Sequence, residues 1–123
     1  MITIKAFDWK ASIAPECGGN LFQLAWNGKE LLRSPRSLEE LKESPSVYGI
    51  PVQFPPGRID GGEFEFNGKQ YCLPINEPER NNHLHGLALE AKWEVVEQSS
   101  EHIRIGMRYD EKNPEFAGFP FRF

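Results

Sequence analysis

Residues 62–74 read GEFEFNGKQYCLP, and two features of that stretch decide the fold class. Apolar and polar residues alternate on either side of Asn67-Gly68, and a period of two marks a strand with one face on a core. Asn-Gly at the centre is the pair that a two-residue type I′ hairpin turn prefers, because both central positions need positive φ. The turn predicts Phe64 opposite Tyr71, with Phe66 and Leu73 on their side and Glu63, Glu65 and Gln70 on the other. The same device stands earlier, in NLFQLAWNGKELLR, residues 20–33. There Asn27-Gly28 sets Trp26 against Lys29 and Leu24 against Leu31, with Phe22, Leu24, Trp26 and Leu31 as the apolar face. Two such hairpins point to an all-β chain of antiparallel pairs.

The rest of the chain extends that pattern. Ile2, Ile4 and Ala6 alternate with Thr3 and Lys5, which predicts a first strand. KWEVVEQ (92–98) and HIRIGMRY (102–109) form an expected antiparallel pair, with Ile103, Ile105 and Met107 inward and His102, Arg104 and Arg108 outward. SLEELKES (37–44) is the one credible helix, a short surface connection. Ser37 is its N-cap, Glu40 completes a capping box, and Pro45 stops it. YGIPVQFPPGRIDGG (48–62) is rich in Gly and Pro and is expected to be largely irregular, the kind of loop that carries binding groups. The chain closes on GFPFRF, where Phe119, Phe121 and Phe123 alternate in strand rhythm and stop. An unpaired aromatic strand there predicts a chain truncated at its C-terminus that self-associates through its exposed last strand.

Composition excludes several classes. The 123 residues suit one small domain. The net charge of −4 is spread through the chain, so no basic stripe suggests nucleic acid and no polybasic block suggests a membrane surface. No apolar run is long enough to span a bilayer. MITIKAFDWK has neither an h-region nor a small-residue cleavage site and reads as the start of a cytoplasmic protein. Cys17 and Cys72, far apart and without a C-x-x-C, read as two reduced thiols.

Candidate chemistry centres on NNHLHG, residues 81–86. Residues two apart on a strand share a face, so His83 and His85 could both reach one ion. Zinc needs three or four ligands, however, and no further ligand stands at a recognisable spacing, so no metal is expected. No G-x-S-x-G and no P-loop lysine is present. Acid–base work on a sugar would need a histidine, a carboxylate and donors for hydroxyl groups, of which Arg58 and His85 supply part. On residue types alone, Arg58 paired to a carboxylate and His85 as a satisfied loop histidine is the simpler reading.

The order of the residues adds more. GIPVQFPPGRIDGGEFEFNGKQYCLPINEPERNNHLHG (49–86) resembles the aldose 1-epimerase (mutarotase) family. That family's G-x-P-x-x-F-P loop falls at Gly49, Pro51, Phe54 and Pro55, and its R-I pair at Arg58 and Ile59. Its G-x-F-x-F-x-G-x-x-Y-x-L hairpin runs from Gly62 to Leu73. N-E is at Asn76 and Glu77, and L-H-G at Leu84 to Gly86. W-E-V at Trp93 and FAGFPFRF (116–123) also look like the family, as do the opening hairpins in ECGGNLFQLAWNGKELL (16–32).

The resemblance implies a β-supersandwich, with residues 1–123 as the N-terminal part of a single domain of that kind. It implies a monosaccharide of glucose or galactose type as substrate and no cofactor. A glutamate base takes the anomeric hydroxyl proton, a histidine acid protonates the ring oxygen, and the opened ring recloses on the other face. Arg58 and His85 match the family's sugar-contacting residues, and His83 matches nothing in it. Gly57 stands beside Arg58 where many members have Asn, which removes one amide from the sugar site. The acid histidine, the base glutamate and a sugar-binding aspartate of the family lie further along than residue 123, so no catalytic residue is assigned and the chain alone is expected to be inactive. A non-catalytic sugar-binding module or subunit is the main rival, and a sugar-phosphate 1-epimerase is another.

Overall fold

The structure is a computed structural model and describes residues 1–113 and 116–123. Four strands open it: β1 (Ile2–Ala6), β2 (Trp9–Ala14), β3 (Asn20–Trp26) and β4 (Lys29–Glu30), in the order β1-β2-β3-β4 with every pair antiparallel. Asn27 and Gly28 take φ of 49° and 76°, as a type I′ turn requires, and Trp26 pairs with Lys29. The expected apolar face is only partly buried. Phe22 is in the core, whereas Trp26 and Leu31 are 48% and 46% exposed. Trp26 instead packs against Trp9 across the sheet, ring centroids 6.3 Å apart.

The helix α1 (Leu38–Glu43) is capped as expected at Ser37, whose hydroxyl accepts the Glu40 N–H. The reciprocal arm differs: the Glu40 carboxylate accepts the backbone N–H of Arg36, and Tyr48 donates its hydroxyl to it. The helix is also more than a surface connection. Leu41 is wholly buried and forms a core cluster with Ala14, Cys17 and Phe22. Asn20 seals the far side, donating to the carbonyls of Pro45 and Tyr48 and accepting the Ile50 N–H. A buried amide thus stitches the sheet to the segment after the helix without an unmet polar group.

The Gly- and Pro-rich stretch is not irregular throughout, because Arg58–Asp60 forms β5. The second hairpin follows as β6 (Glu63–Phe66) and β7 (Lys69–Cys72), with Phe64 opposite and stacked on Tyr71. A 3₁₀ turn at Pro78–Arg80 leads to β8 (Asn82–Leu84), which pairs with β5. The expected late pair is present as β9 (Glu94–Gln98) and β10 (Ile103–Gly106), with one register shift beside Arg104.

The last strand departs most from expectation. Phe121–Arg122 forms β12 and pairs with β11 (Arg108–Tyr109), and Phe123 exchanges backbone hydrogen bonds with Met107. It is therefore paired along one edge. Phe121 stacks on Tyr109, Phe123 on Trp93, and Phe119 packs edge-on against Phe64 and Tyr71. These rings close over a second core of Ala88, Trp93, Met107 and Tyr109. Aromatic pairs of this geometry add to the burial they accompany. Both cysteines are free thiols, Cys17 buried and Cys72 exposed.

Candidate functional site

The short β5–β8 ladder gathers the candidate residues. Arg58 lies opposite Leu84 and Ile59 opposite His83, and just past the pair His85 donates its backbone N–H to the Gly57 carbonyl at 2.9 Å. Gly57, Arg58 and His85 therefore meet at one backbone junction. The next residues lock it in place. Leu87 donates to the Phe54 carbonyl at 2.8 Å. Gly86 has φ of 77°, and a Cβ there would fall on the backbone of Phe54 and Pro55, so only glycine permits the approach. The F-P of the loop and the G of L-H-G are thus two faces of one contact.

A three-pair ladder is a weak structure by itself, and side chains reinforce it. Asn76 behaves like an extra strand residue: its carboxamide accepts the Leu84 N–H at 2.6 Å and donates to the Leu84 carbonyl at 3.0 Å. Glu77, next in sequence, faces the other way. Its carboxylate takes Arg58 Nε at 2.8 Å, Arg58 Nη2 at 2.8 Å and Asn82 Nδ2 at 2.8 Å, with Arg80 at 3.6 Å. Arg58 and Asn82 together hold the Glu77 carboxyl down at about 2. Ion pairs at surfaces are worth little, but this one is bidentate and its carboxylate is almost fully buried, which gives it a fixed geometry. Arg58 does pair a carboxylate, as the simpler reading of the sequence had it. About half of its side chain remains exposed, however, and its Nη1 has no partner among the described residues.

The two histidines of HLH have opposite surroundings. His83 is 2% exposed, and its Nδ1 lies 2.7 Å from the Pro74 carbonyl. A carbonyl only accepts, so the proton sits on Nδ1, and Nε2 is buried without a partner among the described residues. His83 is part of the interior and does not share a site with its neighbour. His85 has the left-handed φ of 65°. Its Nδ1 is buried without a partner among the described residues. It is not the satisfied loop histidine of the simpler reading. His102 is exposed at the end of the β9–β10 turn, away from this junction. Among the described residues no three of His, Cys, Asp and Glu gather as a metal ion would need.

Gly57 has φ of 73°, and a Cβ added to it would meet nothing within 4 Å. Its carbonyl is taken by His85, so what it offers a ligand is room. Two cavities of about 470 Å³ flank the region, one lined by His83, Leu87, Met107 and Tyr109, the other by Phe54, Ile59, Phe66 and Phe119. Arg58 and His85 line neither. Asn76 and Glu77 are the residues whose roles the sequence did not disclose. They were visible only as one piece of an ordered motif, and their partners lie 8 and 19 positions away.

The family model described as aldose 1-epimerase matches residues 1–123. The uncharacterized protein YihR of Escherichia coli (strain K12) is 29% identical over 121 residues, covering 98% of this chain and 36% of that protein. The crystal structure of a galactose mutarotase-like protein from Clostridium acetobutylicum is 33% identical with a TM-score of 0.86, covering 98% of this chain and 39% of the other. The GalM/aldose epimerase homologue from C. elegans is 26% identical with a TM-score of 0.75, covering 94% of this chain and 37% of that one. The chain thus spans under two fifths of the length of these relatives. Its β-rich architecture is that of the galactose mutarotase-like fold. No helix among the described residues is long and apolar enough to cross a membrane.

Proposed function

The chain belongs to the aldose 1-epimerase family, and from that premise we propose that it carries the sugar-contacting part of an epimerase site, in a protein that interconverts the α and β anomers of an aldose. Arg58 and His85 are the residues that touch the sugar, with Gly57 leaving space beside them. The observation that carries this reading is the junction itself. Pairing of β5 with β8 brings a pre-oriented guanidinium and the His85 residue next to each other along the backbone.

The chemistry suits that division of labour. Ring opening moves one proton off the anomeric hydroxyl and one onto the ring oxygen, and each positioned proton-transfer group contributes about 10²–10⁴-fold. Arg58 stays protonated and serves as a donor to hydroxyl oxygens. His85 serves likewise through a ring N–H. Both hold and orient the ring, and proton transfer falls to residues that the family resemblance places beyond residue 123.

Saturation-transfer NMR with glucose and galactose, run beside polarimetry of the freshly dissolved α anomers, tests this. The expected result is transfer to sugar protons that an Arg58→Ala, His85→Ala double variant abolishes, with no acceleration of anomer exchange by the 123-residue chain. Acceleration that the double variant loses would put the proton-transfer groups inside this chain. Absence of any transfer would remove the sugar site.

A further inference from the structure

We propose that Glu77 is a positioning and selectivity residue for the sugar site: it fixes which edge of the Arg58 guanidinium faces the ligand and cancels its charge against anionic sugars. The proposal rests on the sugar-site reading above and adds to it.

A guanidinium has five N–H donors in one plane. Glu77 takes the edge formed by Nε and one N–H of Nη2, at 2.8 Å each. The donors left over are both N–H groups of Nη1 and the second of Nη2, and one from each nitrogen forms the end edge of the guanidinium. That edge presents two parallel N–H groups, a spacing that fits two neighbouring hydroxyl oxygens of a sugar ring. Without Glu77 the long side chain would sample many rotamers, and ordering it would count against binding. The carboxylate cannot drift, because Asn82 Nδ2 donates to it at 2.8 Å from β8, the strand that pairs with β5.

A phosphate or carboxylate on a ligand seeks a cation with unspent charge. Arg58 has a full counter-charge in contact, and Glu79 adds a further negative charge near it. Arg80 is the second cation here, and it too faces Glu77. Two arginines against two glutamates leave no net positive charge at the junction, so a neutral sugar is favoured over its phosphate. This speaks directly to the sugar-phosphate alternative left open by the sequence.

The test is NMR on the 123-residue chain, reading the Arg58 Nε–H signal while galactose, galactose 6-phosphate and inorganic phosphate are titrated in turn. The wild-type chain is expected to show a slowly exchanging Arg58 Nε–H that phosphate does not move and to bind galactose in preference to its phosphate. Glu77→Gln should lose that signal, bind galactose about three- to tenfold more weakly, the cost of one unordered side chain, and gain affinity for inorganic phosphate. Glu77→Asp should restore the exclusion of phosphate. An Arg58 Nε–H that Glu77→Gln leaves unchanged, or a wild-type chain that binds phosphate as well as galactose, overturns the proposal. The wild-type arms decide even if Glu77→Gln does not fold. A locked Arg58 that ignores both phosphate and galactose would instead overturn the sugar-site reading and leave the charge cancellation standing.

Discussion

The four-stranded sheet and the β5–β8 ladder are held together in different ways. The sheet has long backbone pairings, six residue pairs between β2 and β3 alone, and a buried cluster under α1. The ladder has three pairs and relies on side chains, with Asn76 bonding both backbone groups of Leu84 and Glu77 bridging Arg58 to Asn82. A scaffold built from backbone pairing and apolar burial tolerates change at its surface. A ladder built from side-chain clamps holds its side chains in one geometry, and each clamp matters.

Leu41→Ala is expected to have the largest effect. It empties a wholly buried position beneath the sheet and should cost about 2–5 kcal/mol in chemical denaturation. A cost below 1 kcal/mol would mean that the helix is not part of the core. Asn76→Ala should cost less, about 0.5–1.5 kcal/mol, because it hands Leu84 N–H and C=O to water. Its signature is local: hydrogen exchange should quicken at Leu84 and His85 while β2 and β3 keep their protection. Equal loss across both regions would erase the distinction drawn between them.

Each region also holds a carboxylate far below its ordinary value of 4.5, and the two should titrate alike. Arg36 and Tyr48 hold Glu40 at about 2, and Arg58 and Asn82 do the same for Glu77. A carboxyl depressed in the folded state stabilises it fully above its unfolded pKa, and that stabilisation is lost as pH falls through the folded pKa. Stability should therefore decline between about pH 4.5 and pH 2, and Glu77→Gln should flatten part of that decline. An acid titration of the wild type and the variant that superimpose would contradict the Arg58–Glu77 clamp. The smallest expected effect is that of Gly57→Asn. Asn tolerates the left-handed φ of 73°, and open space awaits its side chain, so stability should change by only about 0.5 kcal/mol. Sugar affinity should rise if the added amide reaches a hydroxyl, and an unchanged affinity would place the sugar elsewhere on the junction.

The same division explains what the sequence disclosed. Asn27-Gly28 and Asn67-Gly68 were legible because positive φ at two successive positions leaves few residue choices, and both hairpins formed in the expected register. The Ser37 cap was legible for a similar local reason. Strand β2 gave no such signal, since its turn uses Phe7 at φ of 51° and its last residues are all buried, beyond a register shift after Ser12. The pairing of Phe121 with Tyr109 depends on a distant partner, so the last strand read as unpaired. At the site, Arg58 and His85 could be named from an ordered motif. What sets them could not, because the Glu77 clamp spans 19 positions and the His85 backbone is held by the Gly57 carbonyl, just ahead of another strand.

The central claim is that the ligand-binding surface of this chain is the β5–β8 junction and not the sheet. Backbone amide NMR during a galactose titration tests it most directly. The account predicts shifts at Gly57, Arg58 and His85 that saturate together while the amides of β1 to β4 stay still. Shifts confined to the sheet, or spread evenly over both regions, would contradict it.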